Sequence, residues 1–270
     1  MIVSGKFFLA VVVAVGLTGC SKFRAVQKST DWRVKYEAGF DYYEKKDYYR
    51  AAVLFEEIQP IVRGLPEGEK VEFFLAYCQY YEKTYLLAAN QYKSFYETYG
   101  RSTLAEEAQF MYAFSLYKSS PPANLDQRGS IEAMDAMQAF INIYPTSRFV
   151  EQAAQVIEES QQKLEEKGYE NAKQYLKLRM YQAAIIAFEN FRQAYPDSRY
   201  LEEIASLKVV AQYQLAARSF ENLQEKRFKQ VVQFYQELVD AYPGSKFIKT
   251  VERMYSDSLY KINQFKKTNS

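Results

Sequence analysis

The sequence predicts an all-α protein, a superhelical solenoid of about five helical hairpins. Three observations point there. A motif of Tyr, then Pro or Gly, one variable residue and Ser recurs at Tyr99-Gly100-Arg101-Ser102, Tyr144-Pro145-Thr146-Ser147, Tyr195-Pro196-Asp197-Ser198 and Tyr242-Pro243-Gly244-Ser245. The motif tyrosines lie 45, 51 and 47 residues apart, in the range of solenoid repeats. Before each motif a small residue is followed four positions later by a large apolar one, which sets both on one helix face. No stretch alternates as a strand would.

The first element is not part of that body. Residues 1–19 carry a single basic residue, Lys6, and then Phe7 to Val15 without a polar side chain, the pattern of a bacterial export signal. The run is too short to span a bilayer. It ends in Leu17-Thr18-Gly19-Cys20, which looks like a lipobox: the Cys20 thiol takes a diacylglyceryl group, the signal is cut before Cys20, and the new amine is acylated. An ordinary signal peptide with an incidental Cys20, or a buried apolar helix, is the blander reading. The polar stretch from Ser21 and Lys22 onward favours the lipobox, with 20–30 as lipidated N-terminus and linker. Two or more acyl chains make a stable anchor. Ser21 after the Cys, without an acidic cluster, resembles sorted lipoproteins and implies the outer membrane, with the body facing the periplasm.

The helices follow in order. Pro or Gly in each motif stops one helix, and the Ser hydroxyl can cap the amides of the next. Ala51, Phe55 and Ile58 match Ala88, Tyr92 and Phe95, then Ala133, Met137 and Phe140, Ala184, Phe188 and Phe191, and Val231, Tyr235 and Leu238. Twelve positions before three of these alanines stand Gly39, Ala76 and Ala172, with Tyr42 or Tyr175 three positions on; Ser219 takes that place before Val231. Small residues at paired positions let two helices cross closely. Helices are expected over 31–46, 48–62, 68–82, 85–99, 103–118, 128–144, 148–178 with a break near Gly168, 181–195, 199–224, 228–242 and 246–264. Ser119 to Gln127 reads as a loop by composition, and Lys266 to Ser270 as a frayed tail. Residues 31–145 form an N-terminal half and 146–270 a C-terminal half.

Composition narrows the chemistry. The formal charge is +2, so no nucleic-acid footprint is indicated. The chain has no histidine, which removes the usual general base near neutral pH and the commonest metal ligand. No glycine-rich phosphate loop occurs. Glu56-Glu57, Glu106-Glu107, Glu158-Glu159 and Glu202-Glu203 sit in helical patterns among Lys, Arg and Gln and read as solvated faces. Apart from Cys20 only Cys78 remains, so an internal disulfide is excluded, and Cys78 reads as a small buried apolar residue. A non-enzymatic protein with no metal and no cofactor beyond the lipid on Cys20 is expected.

A lipobox, about five tetratricopeptide-like hairpins, repeated Tyr-Pro-x-Ser-(Arg/Lys) and a loop with Leu125-Asp126-Gln127 before Ala136-Met137-Gln138-Ala139-Phe140-Ile141-Asn142-Ile143-Tyr144-Pro145 together resemble the BamD family, lipoproteins of the outer-membrane β-barrel assembly machine. The resemblance covers nearly the whole mature chain. It implies a non-enzymatic scaffold whose C-terminal half binds the barrel-forming subunit and whose N-terminal half meets the C-terminal signal strand of unfolded barrel proteins.

The residues themselves offer places for both roles. First helices of solenoid hairpins line the concave face, and there the sequence puts Tyr36, Phe40 and Tyr43, then Phe73, Tyr77, Tyr80 and Tyr81, then Phe110, Phe114 and Tyr117. The fourth copy has Tyr169, Lys173 and Leu176, so the aromatic stripe stops. Rings with hydroxyl rims can pack a strand and share hydrogen bonds with its backbone. Aromatic residues at helical spacing are also ordinary core; Phe40, Phe73, Phe110 and Phe114 read as core, and Tyr36, Tyr43, Tyr77, Tyr80, Tyr81 and Tyr117 are the groove candidates. Arg199, Lys208, Arg218 and Lys226 are candidates for an acidic partner surface, against the plain alternative of solvated helix faces. Two rivals share the anchor and repeats: an adaptor lipoprotein of pilus, polysaccharide or cell-wall machinery, and a glycan-binding lipoprotein stacking sugars on Tyr and Trp32, the only Trp.

Overall fold

The computed structural model describes residues 22–268, and every regular element among them is an α-helix. A short helical stretch over 22–27 leads into α1 (Trp32–Glu44), α2 (Tyr48–Val62), α3 (Pro66–Tyr81), α4 (Tyr85–Thr98), α5 (Ala105–Ser119), α6 (Arg128–Ile143), α7 (Val150–Lys177), α8 (Tyr181–Ala194), α9 (Leu201–Ala217), α10 (Glu221–Ala241) and α11 (Ile248–Thr268). The expected export signal and Cys20 lie outside the described residues. None of the described helices is long and apolar enough to cross a membrane.

The chain divides into two units, the first taking in 22–121 and 126–160, the second 122–125 and 161–268. The boundary falls inside α7, fifteen residues beyond the division at 145/146 drawn from the repeats. Its position follows from packing, because Phe149, Ala153 and Val156 join the same core as Phe110, Met137 and Phe140. Within the first unit α1 to α6 pack on one another in chain order, and within the second α8 to α11 do the same.

The repeat register explains the core. Ala51, Phe55, Ile58, Ala88, Tyr92, Phe95, Ala133, Met137, Phe140, Ala184, Phe188, Phe191, Val231 and Leu238 are all buried, while Tyr235 is half-buried. Small residues stand where helices cross. A Cβ on Gly39 would sit 2.6 Å from Cε1 of the buried Phe55 ring. Cys78 is fully buried in the cluster of Phe55, Ile58 and Val71, and burial pushes its thiol up to about 12.

Three hairpin turns are alike. Lys46, Lys83 and Arg179 have φ of 61°, 62° and 60°, the left-handed conformation that ends a helix. The next amide reaches back five residues in each, from Asp47 to Tyr42 O, Thr84 to Gln79 O and Met180 to Tyr175 O, at 2.9, 3.0 and 2.9 Å. Asp47 then caps α2 through its carboxylate and the Arg50 amide at 3.3 Å.

Several boundaries differ from expectation, each for a physical reason. Helices following a motif begin two residues late, at Ala105, Val150, Leu201 and Ile248, because the Ser turn is a separate turn ahead of the helix. Gly168 does not break α7; a Cβ there would meet Tyr195 at 3.1 Å and Phe191 at 3.3 Å, so it is another close crossing. The expected boundary at 224–228 is displaced: α9 stops at Ala217 and α10 starts at Glu221. Phe228 holds the register of Tyr85 and Tyr181, three before the crossing residue, but Glu221 to Arg227 add two further turns in front of it. Ser219 therefore lies in the turn, not at a crossing; Gln212 is buried in the crossing place, its Nε2 donating to Arg227 O at 3.0 Å and Gln230 Oε1 at 3.1 Å. The expected frayed tail is helical as far as Thr268.

Candidate binding faces

Counted from the crossing residues Gly39, Ala76 and Ala113, the positions three before, one after and four after are Tyr36, Phe40 and Tyr43 on α1, Phe73, Tyr77 and Tyr80 on α3, and Phe110, Phe114 and Tyr117 on α5. Their rings form one connected ladder within the first unit. Tyr36 lies 4.8 Å from Phe40, Phe40 5.1 Å from Phe74, and Phe74 4.9 Å from Tyr43, centroid to centroid. Tyr43 then meets Tyr81 at 6.4 Å, Tyr81 meets Tyr80 at 5.6 Å, Tyr80 stacks on Phe114 at 6.1 Å, and Phe114 on Tyr117 at 5.9 Å.

Burial sorts these rings. Phe73 and Phe110 are core, at 3% and 2% exposed, whereas Phe40 and Phe114 are only partly buried. Tyr36, Tyr43, Tyr77, Tyr80 and Tyr117 are half-buried, and Tyr81 is the open one at 44%. Burial pushes the Tyr80 and Tyr117 phenols up to about 12, Glu159 adding to the rise at Tyr117, and raises Tyr43 and Tyr77 as well. The hydroxyls therefore stay protonated donors. Tyr77 donates to Glu107 on α5, which also holds Arg148 at 2.9 Å, and Tyr117 donates to Glu159 on α7.

Sequence reasoning missed Phe74 and Tyr48, which complete the ladder; Tyr48 stacks on Tyr81 at 4.3 Å. Phe74 is adjacent to a core residue on its helix and Tyr48 begins a second helix, so neither falls in the first-helix register. The acidic pairs are also more than solvated faces. Glu56 accepts from Gln79 at 3.0 Å, Glu57 pairs with Lys35 at 2.6 Å, Glu106 accepts from Ser147 at 2.6 Å, and Glu203 lies 3.7 Å from Lys173. In the second unit the stripe ends as expected: Lys173 sits 4.3 Å from the Tyr169 ring centroid and donates to its hydroxyl at 2.7 Å.

The four basic candidates are spread over the two ends and middle of α9 and the start of α10. Arg199 and Arg218 flank the two ends of α9, about 25 Å apart by helix rise. Arg199 lies over Tyr200, which itself stacks on Tyr169 at 4.1 Å, and Arg218 lies 5.4 Å from Tyr181. Lys208 is committed internally, to Glu189 at 3.2 Å and Glu237 at 3.6 Å over the Phe234 ring. It lines a groove of about 600 Å³ between α8, α9 and α10 with Arg192, Phe188 and Ile204. Lys226 is exposed on the added turns of α10. In the loop ahead of α6 Leu125 is exposed, Asp126 pairs with Arg128 at 2.6 Å, and Gln127 is buried and accepts from Ser130 at 2.7 Å.

Helical hairpins packed in chain order, with aromatic residues on successive first helices, define an all-helical repeat protein of the tetratricopeptide-like solenoid class. The profile of the outer membrane lipoprotein family YfiO matches residues 29–226, and the chain belongs to that family. No curated protein matches the sequence.

Proposed function

We propose that the chain is a BamD-type lipoprotein, the non-enzymatic repeat scaffold of the outer-membrane β-barrel assembly machine. Acyl chains on Cys20 hold it at the outer membrane, with the body in the periplasm, and raise its effective concentration for membrane-bound partners. The second unit binds the barrel-forming subunit, and the aromatic face of the first receives the signal strand of unfolded barrel proteins. The observation that carries the reading is the ladder from Tyr36 to Tyr117, confined to the unit whose first helices precede Lys173. Half-buried rings accept the apolar side chains of an extended strand, and the Tyr43 and Tyr80 hydroxyls donate to its carbonyls, those of Tyr77 and Tyr117 being held by Glu107 and Glu159.

The test is fluorescence anisotropy of a labelled peptide copying the C-terminal strand of a barrel protein, titrated with the full mature chain. Saturable binding weakened several-fold by Tyr81→Ala and by Tyr80→Ala, and unchanged by Tyr175→Ala on α7, is expected. Binding indifferent to all three would refute the assignment of this face. A sugar titration followed by Trp32 fluorescence addresses the glycan reading; Trp32 already has Arg33 4.6 Å from its ring centroid and Tyr36 edge-on at 6.3 Å.

A further inference from the structure

The described chain enters the fold at an unexpected place. Phe23 in the stretch 22–27 packs edge-on against Tyr42 at 5.6 Å, and the Arg50 guanidinium lies 5.6 Å from the Phe23 ring. Gln27 then donates to Glu57 at 2.8 Å, so this stretch runs along α2, starting beside the first hairpin turn and not at the head of α1. Cys20 precedes Phe23 by three residues, a reach of about 11 Å at full extension.

That turn edge is unusual for a solvated surface. Tyr49 and Leu86 each stand two positions before a crossing alanine, in the first turns of α2 and α4, and are 65% and 62% exposed; Leu87 is 45% exposed. Around them Lys45, Lys46, Lys83 and Lys118 are exposed, Lys46 and Lys83 in the left-handed turn positions. Lys83 and Lys118 line one shallow groove with Leu86 and Leu87. The carboxylates at this edge are Glu44 and Glu82, with Asp47 held by Arg50 at 2.9 Å, so the edge is net basic.

We propose that the turn edge of the first two hairpins, Tyr49, Leu86 and Leu87 with Lys45, Lys46 and Lys83, is a bilayer-contact surface that lies on anionic headgroups beside the acyl anchor. The inference rests on Cys20 being the acylated residue. The anchor decides the occupant: lipid chains within about 11 Å of Phe23 bring the headgroup layer to this edge before any protein partner. Tyr and Leu enter the interfacial layer and lysines reach its phosphates, while the helices remain outside it. One edge on the membrane fixes the orientation of the first unit.

The test uses the full-length acylated protein in vesicles of phosphatidylethanolamine and phosphatidylglycerol, free of other proteins. A polarity-sensitive fluorophore is placed on Leu86→Cys, on Tyr49→Cys, or on Glu97→Cys at the far end of α4; the buried Cys78 does not compete for the label. Quenching by headgroup-proximal brominated lipid several-fold stronger at positions 49 and 86 than at 97 is expected, falling several-fold in Lys46→Glu/Lys83→Glu with vesicle retention unchanged. Quenching at 49 and 86 no greater than at 97, in protein whose intact mass shows the acyl chains, overturns the inference alone. An intact mass without acyl groups on Cys20 removes the anchor reading and the inference together.

Discussion

Ser147 Oγ donates to Glu106 Oε1 at 2.6 Å, joining residues 41 positions apart. The same hydroxyl accepts from the Phe149 amide at 3.1 Å, so one Ser both caps the turn that opens α7 and ties it to the start of α5. Ser198 repeats the arrangement with Glu165 at 2.6 Å and the Tyr200 amide at 3.0 Å, and Ser102 bonds Glu69 and the Leu104 amide. Each Glu stands seven positions before its crossing alanine. Ser245 caps the Phe247 amide at 3.1 Å, but Ala205 occupies the carboxylate position. Ser147→Ala and Ser198→Ala should each cost about 2–3 kcal/mol, a cap plus a hydrogen bond to a charged group, and Ser245→Ala about 1 kcal/mol. Urea denaturation checks this, and equal losses at all three would show that the carboxylates contribute nothing.

At the first crossing, Gly39→Ala sets helix propensity against packing. Alanine gains about 1 kcal/mol in a helix interior, but its Cβ would lie 2.6 Å from a buried Phe55 ring, and overpacking costs about 1–3 kcal/mol. A net loss of about 1 kcal/mol is expected in the same denaturation assay, and a gain would mean that Phe55 can move aside.

Backbone strain at the turns makes the opposite prediction. Arg179 is held at φ 60°, where a Cβ is disfavoured. Arg179→Gly should raise stability by about 0.5–1 kcal/mol, offset in part by the freedom glycine has in the unfolded chain. A calorimetric melting temperature below that of the parent would contradict it.

The tyrosines set an alkaline limit on the first unit. Burial raises the folded-state phenols of Tyr43, Tyr77, Tyr80 and Tyr117, to about 12 for the last two, above the ordinary value of about 10. Their contribution is fully present below pH about 10 and is lost as pH rises toward about 12, because the unfolded chain ionises first. Phenolate absorbance should lag behind that of free tyrosine and then rise together with loss of helical circular dichroism. Titration of every phenol near pH 10 with helicity intact would show that these rings are not buried.

The repeats could be read from the sequence because Pro or Gly stops, Ser caps and a small residue four positions before a large apolar one agree with one another in most copies, Val231 replacing the alanine in the last. Glu221 to Arg227 could not, since six polar residues around the single Leu223 carry no apolar period and differ little from a loop. Gly168 misled for the opposite reason: a glycine needed for a close helix crossing looks the same as one that ends a helix. On the aromatic face, register alone found the first-helix rings, whereas Tyr48 and Phe74 joined the ladder through tertiary packing. The roles of Glu106 and Glu107 were hidden because their partners, Ser147, Arg148 and Tyr77, are some thirty to forty residues away in the chain.

The most direct test of the scaffold reading is affinity purification of the C-terminally tagged lipoprotein from detergent-solubilised outer membrane, followed by mass spectrometry. Near-stoichiometric recovery of a large β-barrel protein with periplasmic repeat domains is predicted. Recovery of pilus, polysaccharide, cell-wall or glycan-uptake proteins with no such barrel would contradict it.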